Sequence, residues 1–195
     1  MSIFHNVDQN SDSWFTLRMG KFTASKFSDI MGAPSNAGYK KEIYRVAYER
    51  LTFDKPESFK SGYMDRGNEL EPFAIRDYEL RTFETVTNGG FYELNEWIGA
   101  SPDGMVSDGQ IQVKCPAYNT HIDYLLSGKV PTLYNKQIQG EMYVTGRDWC
   151  DFVAYHPHMK PLIIRIERDE VLIKEIEEKL LIAIDKAKDV MERIR

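Results

Sequence analysis

The sequence predicts an α/β (α+β) chain in which helices flank a central mixed β-sheet. Three observations predict it. Apolar residues recur at helical spacing near both ends, the middle is made of short β-branched or aromatic runs cut by turns, and two more strand-like runs lie near residue 150. In chain order, helical patterns cover roughly Ser25 to Met31, Lys40 to Leu51 and Gly67 to Leu80. Turn signals at Asn88-Gly89-Gly90, Pro102-Asp103-Gly104 and Asp108-Gly109 separate short runs that read as neighbouring strands of one sheet. A helix from about Thr132 to Val144 carries Tyr134, Ile138 and Met142 four apart, which gives it one buried stripe. Strands at about Trp149 to His156 and Leu162 to Glu167 follow. Finally Ile173, Ile176, Leu180, Ile184, Ala187, Met191 and Ile194 recur three or four apart, the pattern of a long amphipathic helix.

The chain has 195 residues, 42% of them hydrophobic and 12% aromatic, enough for one sizeable core. No repeat, low-complexity stretch or Pro/Gly/Ser-rich linker offers a boundary, so residues 1–195 are expected to form one domain. No run of apolar residues is long enough to span a bilayer, and the first residues lack the pattern of a secretory signal. A cytoplasmic protein without a membrane role is therefore expected. Cys115 and Cys150 are too few for a disulfide framework and lack CxxC spacing, which suits reduced thiols. The net charge of -5 argues against a uniformly basic nucleic-acid coat. It still allows a local basic lining beside carboxylates gathered for metals.

The informative stretch is SPDGMVSDGQIQVKCP, residues 101–116. Ile111, Val113 and Cys115 alternate to one face of a strand, so Gln112 and Lys114 share the other, where they meet Asp103 if the two segments pair as a hairpin. Phosphodiester hydrolysis needs hard oxygen ligands for Mg²⁺, and a lysine beside them can orient or help deprotonate water. Pro-Asp, a spacer, then acid-any-Lys is the signature of the PD-(D/E)XK nucleases, and this stretch resembles it with one departure. Gln112 stands where those enzymes carry Glu or Asp, losing the charge and one acceptor oxygen. A natural inactive homologue and a deliberate Glu→Gln substitution made to trap substrate both account for it. The second is favoured because every other site position is intact.

The segments SWFTLRMGKFTASKFSDIMG, GNELEPFA, YNKQIQGEMYVTG and FVAYHPHMK, followed by IERDE, resemble the bacteriophage lambda exonuclease family in the same order, over nearly the whole chain. The resemblance implies the PD-(D/E)XK restriction-endonuclease-like fold. It also implies digestion of one strand of duplex DNA from 5′-phosphorylated ends, leaving 3′ overhangs for phage recombination. Carried over by position, it places metal carboxylates at Glu71 and Asp103, the missing one at Gln112 and a carbonyl ligand at Val113. Two Mg²⁺ ions are implied, with Mn²⁺ as a substitute. Lys114 falls on the catalytic lysine, and Gln137 on a glutamine that holds water or a phosphate oxygen. Arg18, Thr23, Ser25 and Ser101 match the pocket for the terminal phosphate, a role that suits a planar guanidinium, hydroxyls and the N–H groups of a helix start. Thr23 also reads as a helix N-cap, and both roles can hold together. Further implications are a homotrimeric ring around DNA, a phage single-strand annealing protein as partner, and a location in the bacterial host of a phage or prophage. Without the resemblance, Gln137 reads as an ordinary exposed polar residue, and Glu71 as an acid placed favourably in a helix start. His156 and His158 flank Pro157 at a spacing that fits no common ligand scheme, and most of Trp14, Trp97, Trp149 and the tyrosines are expected in the core.

Overall fold

The computed structural model describes residues 1–56 and 62–195. After strand β1 (Ile3–His5), Ser11 caps helix α1 (Asp12–Arg18) by accepting the Trp14 amide. This helix is too short to announce itself by periodicity. Strand β2 (Phe22–Thr23) follows, and the stretch read as one helix from Ser25 to Met31 is divided between a 3-10 turn (Ala24–Lys26) and a single turn of helix, α2 (Phe27–Ile30). Helices α3 (Ala37–Thr52) and α4 (Gly62–Thr82) extend the predicted ones at both ends, and α4 runs through Pro72.

The middle of the chain departs from the prediction of one sheet. Strands β3 (Val86–Asn88), β4 (Phe91–Asn95), β5 (Ile98–Ala100), β6 (Gly104–Val106) and β7 (Gly109–Lys114) divide between two sheets. One has the order β1-β4-β5-β2. The other runs β3-β6-β7-β8-β9, completed by β8 (Trp149–His156) and β9 (Met159–Glu167). The chain leaves the second sheet at Gly89-Gly90 and returns at Pro102-Asp103. Gly90 takes a positive φ of 56°, and any Cβ on Gly89 would run into the Pro102 carbonyl, so the exit and return cross in contact. These turn residues therefore make crossings between sheets. Only the Asp108-Gly109 signal marks a hairpin, β6–β7, with Asp108 in the link and Gly109 opening β7.

Each sheet has its own apolar cover. Ile98 and Ala100 of the first share a cluster with Phe22, Phe27, Val46, Ile176 and Leu180. In the second, Val106, Ile111, Val113 and Val153 pack with Ala74 and Tyr78 of α4. On its opposite face Cys150, Phe152 and Ala154 pack with Ile138 and Met142 of α6 (Thr132–Thr145). The predicted alternation of Ile111, Val113 and Cys115 against Gln112 is thereby realised. Parallel pairing of β7 with β8 requires a crossover, supplied by α5 (Tyr118–Ser127) and α6. Helix α6 can lie this close because residue 140 is glycine, where a Cβ would enter the Phe27 ring. Asp169 caps α7 (Glu170–Arg193) by accepting the Val171 and Leu172 amides. Its stripe is buried from Ile173 to Ala187, whereas Ile194 lies beyond the helix and is exposed.

Candidate active site

The β6–β7 hairpin pairs Gly104 with Ile111, which sets Asp103 across from Gln112. Asp103 Oδ2 accepts the Val113 amide at 2.7 Å and the Gln112 side-chain amide. Glu71 reaches the same cleft from α4 and Lys114 from the end of β7, its Nζ 5.3 Å from the Tyr134 ring centre. Burial, and then repulsion from Asp103, push the Glu71 carboxyl up to about 7, with Lys114 opposing the rise. Asp103 is also raised by burial, against the pull of Lys114 and of the Val113 amide. Two carboxylates that disfavour each other's ionisation, beside one lysine, form a place that a cation would relieve.

The donor set is nonetheless one carboxylate short. Among the described residues no group of three His, Cys, Asp or Glu side chains is arranged to hold a metal ion. At the third position Gln112 offers an amide whose nitrogen is bonded to Asp103 and whose oxygen accepts Gln137 Nε2 at 2.8 Å. The residues present therefore fit a divalent metal poorly.

The other end of the cleft is cationic. Arg18, the last residue of α1, donates Nη1 to Ser101 Oγ at 3.1 Å and Nη2 to Thr23 Oγ1 at 3.2 Å and Ser25 Oγ at 3.5 Å. It lies 4.1 Å from the centre of the Trp14 ring, whose Nε1 donates to Ser101 Oγ at 2.8 Å. No carboxylate pairs with Arg18 among the described residues. Burial, and then the nearby Arg45 charge, lower its guanidinium to about 10, against weaker pulls from Glu141, Glu42 and Glu49. The Thr23 side chain caps nothing, its hydroxyl being engaged with Arg18. Because the helix expected here is only a 3-10 turn and one helical turn, side-chain donors rather than a helix dipole make this pocket.

One cleft of roughly 440 Å³ is lined by Arg18, Ser25, Glu71, Ser101, Asp103, Gln112, Val113, Lys114 and Gln137, while Thr23 stands behind Arg18. All ten predicted site residues converge. Three features were missed by sequence reading. Trp14 belongs to the aromatics expected mostly in the core, yet it also forms the floor under Arg18. Arg45 binds Glu42 at 2.5 Å and Glu49 at 2.6 Å and donates to the Lys21 carbonyl at 2.7 Å, fixing the loop after Arg18 onto α3. Glu141, four residues beyond Gln137, is buried beneath the site. Its position one helical turn along was the available signal. His156 and His158 lie apart from the cleft, at the β8–β9 turn, near His121.

Residues 13–148 match the profile of the YqaJ-like viral recombinase domain, a span that includes all ten of these site residues. The chain belongs to the YqaJ-like viral recombinase family. An alkaline exonuclease from Laribacter hongkongensis is similar at 37% identity, with a TM-score of 0.88 over 94% of this chain and 96% of that one. A structure of that enzyme in complex with dAMP matches equally well, at 37% identity and a TM-score of 0.88. A phage-related exonuclease from Haemophilus somnus 129PT shares the fold at 20% identity, with a TM-score of 0.70 over 90% of this chain and 96% of that one. No curated protein matches the sequence. The recombinase family and these neighbours bear out the resemblance read from the motifs and the PD-(D/E)XK type of fold, mixed sheets flanked by helices. No helix among the described residues is long and apolar enough to cross a membrane.

Proposed function

We propose that this chain is a 5′-to-3′ exonuclease that seats the 5′-terminal phosphate of a duplex DNA end and hydrolyses that strand, leaving a 3′ overhang for phage recombination. The observation that carries this reading is Arg18. It is a half-buried cation with hydroxyl partners, a Trp14 floor and no carboxylate among the described residues, opening into the cleft of Glu71, Asp103 and Lys114. Such a cation is electrostatically incomplete, and a phosphate supplies the missing charge through a planar, two-pronged contact. Thr23, Ser25 and Ser101 add hydroxyls around it. The activity class is supported by the exonuclease similar at 37% identity over 94% of the chain.

Within this reading Lys114 orients the attacking water or helps to deprotonate it, and of the two roles expected for Gln137, a water or a phosphate oxygen, its commitment of Nε2 to Gln112 and Glu141 favours holding the water through Oε1. With glutamate at position 112, that residue, Glu71, Asp103 and the Val113 carbonyl would hold Mg²⁺, or Mn²⁺ in its place. The metal's contribution is to neutralise charge on the phosphodiester. As the chain stands, Gln112 impairs that set. A homotrimer ring around the duplex, a phage single-strand annealing protein as partner and the cytoplasm of a bacterial host complete the proposal, all three resting on the family resemblance.

The test is Gln112→Glu. The substituted protein should digest linear duplex strongly with Mg²⁺, favour 5′-phosphorylated over 5′-hydroxyl ends, and leave closed circles intact. Digestion no better than that of the parent would remove the assignment of position 112, and digestion from the 3′ terminus would remove the polarity. A second reading, a catalytically inactive DNA-end binder, is favoured by Gln112 itself, since both atoms of its amide are satisfied in place. End binding without digestion, even after Gln112→Glu, would select it.

A further inference from the structure

Glu141 is 1% exposed and lies one helical turn beyond Gln137 on α6. A buried carboxyl is costly unless its oxygens are used, and no cation touches this one among the described residues. Its contacts are two amides. Gln137 Nε2 donates to Oε1 at 2.8 Å, and Gln110 Nε2, from β7, donates to Oε2 at 3.3 Å. Gln110 is itself held in orientation, because its Oε1 accepts Thr145 Oγ1 at 2.8 Å. Burial, followed by the Asp103 charge, pushes the Glu141 carboxyl up to about 8. In either protonation state Oε1 remains an acceptor.

The consequence falls on Gln137. An amide nitrogen has two hydrogens, and Gln137 directs one to Glu141 Oε1 and the other to Gln112 Oε1. With both committed, the amide is fixed against a flip, and the atom left for the cleft is the Gln137 carbonyl oxygen, an acceptor. If residue 141 could not accept, Gln137 could turn its nitrogen into the cleft or rotate away.

We infer that Glu141 is a positioning residue that fixes the Gln137 amide so that its oxygen, rather than its nitrogen, faces the reacting end. This rests on the proposed exonuclease reading for its kinetic consequence, but the orientation itself exists in the chain as it stands. A carboxyl that merely ties α6 to β7 would have the same contacts, so the test must separate an effect through Gln137 from an effect on the fold.

Two measurements do this. In the unsubstituted chain, the Gln137 side-chain amide, assigned by its loss in Gln137→Ala, should show two distinct, exchange-protected proton signals by NMR. Glu141→Leu, which fills the space but accepts nothing, should abolish that protection, and Glu141→Gln should retain it. Unchanged protection in Glu141→Leu overturns the inference whether or not any variant has activity. In the Gln112→Glu background, Glu141→Leu should lower kcat on 5′-phosphorylated duplex by about 10- to 100-fold, the scale of a misplaced catalytic group, with little change in KM. Glu141→Gln should restore most of the rate. Adding Glu141→Leu to Gln137→Ala should cost nothing further, since both act through one amide. Losses that multiply in the double variant overturn the inference, because Glu141 would then act on the fold. An inactive Gln112→Glu protein would overturn the exonuclease reading instead, with the NMR result still deciding Glu141.

Discussion

If Arg18 is kept to bind an anion, its charge should weaken the free protein, and the size of that penalty can be worked from its surroundings. Burial lowers the guanidinium from its ordinary value to about 10. A lowered folded-state value means that the folded chain holds this proton less tightly than the unfolded one. The penalty is therefore full at every pH below about 10 and fades above it as the folded chain releases the proton that the unfolded chain still holds. Taken at face value the shift corresponds to roughly 3 kcal/mol. Partial exposure at the cleft mouth and the hydroxyl contacts reduce this to about 1–2 kcal/mol.

Replacing Arg18 with methionine removes the charge and keeps a stem that can lie on Trp14. The hydroxyls are not left alone, because Ser101 still accepts Trp14 Nε1 and Thr23 still faces Ser25 Oγ at 3.5 Å. Arg18→Met should therefore raise the Tm, by about 3–6 °C for a chain of this length. Inorganic phosphate should have the opposite selectivity. At ten times its Kd it should stabilise the parent by about 1.4 kcal/mol and leave Arg18→Met unmoved. Differential scanning fluorimetry over a phosphate series at constant ionic strength reads both effects. A variant that melts below the parent, or equal phosphate shifts in the two proteins, would refute the reasoning.

In the Gln112→Glu background, Lys114→Ala should lower turnover by orders of magnitude while end binding in a gel shift largely survives. A near-normal rate would make Lys114 a bystander. Arg45→Met should cost about 3–5 kcal/mol in a denaturant titration, because it leaves Glu42 and Glu49 as buried carboxylates without their cation; a loss below about 1 kcal/mol would contradict the ion-pair geometry. Light scattering should return a trimer, for which the α3–α7 groove lined by Tyr44, Tyr48, Val190 and Ile194 supplies exposed apolar surface. A monomer at micromolar concentration would remove the ring from the proposal.

The sequence alone determined those parts of the molecule that rest on local periodicity and on residue type. Helix α6, the β8 strand and the buried run of α7 appear where spacing put them, since an amphipathic stripe or alternating strand is written in consecutive residues. Asp103, Gln112 and Lys114 were legible together because a hairpin of known period brings them together. The ten site residues as a set came from family likeness, not from spacing; in isolation Gln137 reads as an ordinary exposed polar residue, Glu71 as an acid at a helix start and Thr23 as a helix N-cap. Tertiary structure alone decided the division of the middle strands between two sheets. Asn-Gly-Gly and Pro-Asp-Gly encode a change of direction but not which partner the chain meets next, and only the folded chain brings Gly89 against Pro102 where it crosses between the sheets. It also decided that Trp14 would serve both core and site, that Arg45 would bind the Arg18 loop, and that Glu141 would reach Gln110 and Gln137. Each depends on contacts between elements far apart in the chain or on a degree of burial that no local pattern records, and these are the contacts that turn separate motifs into one cleft.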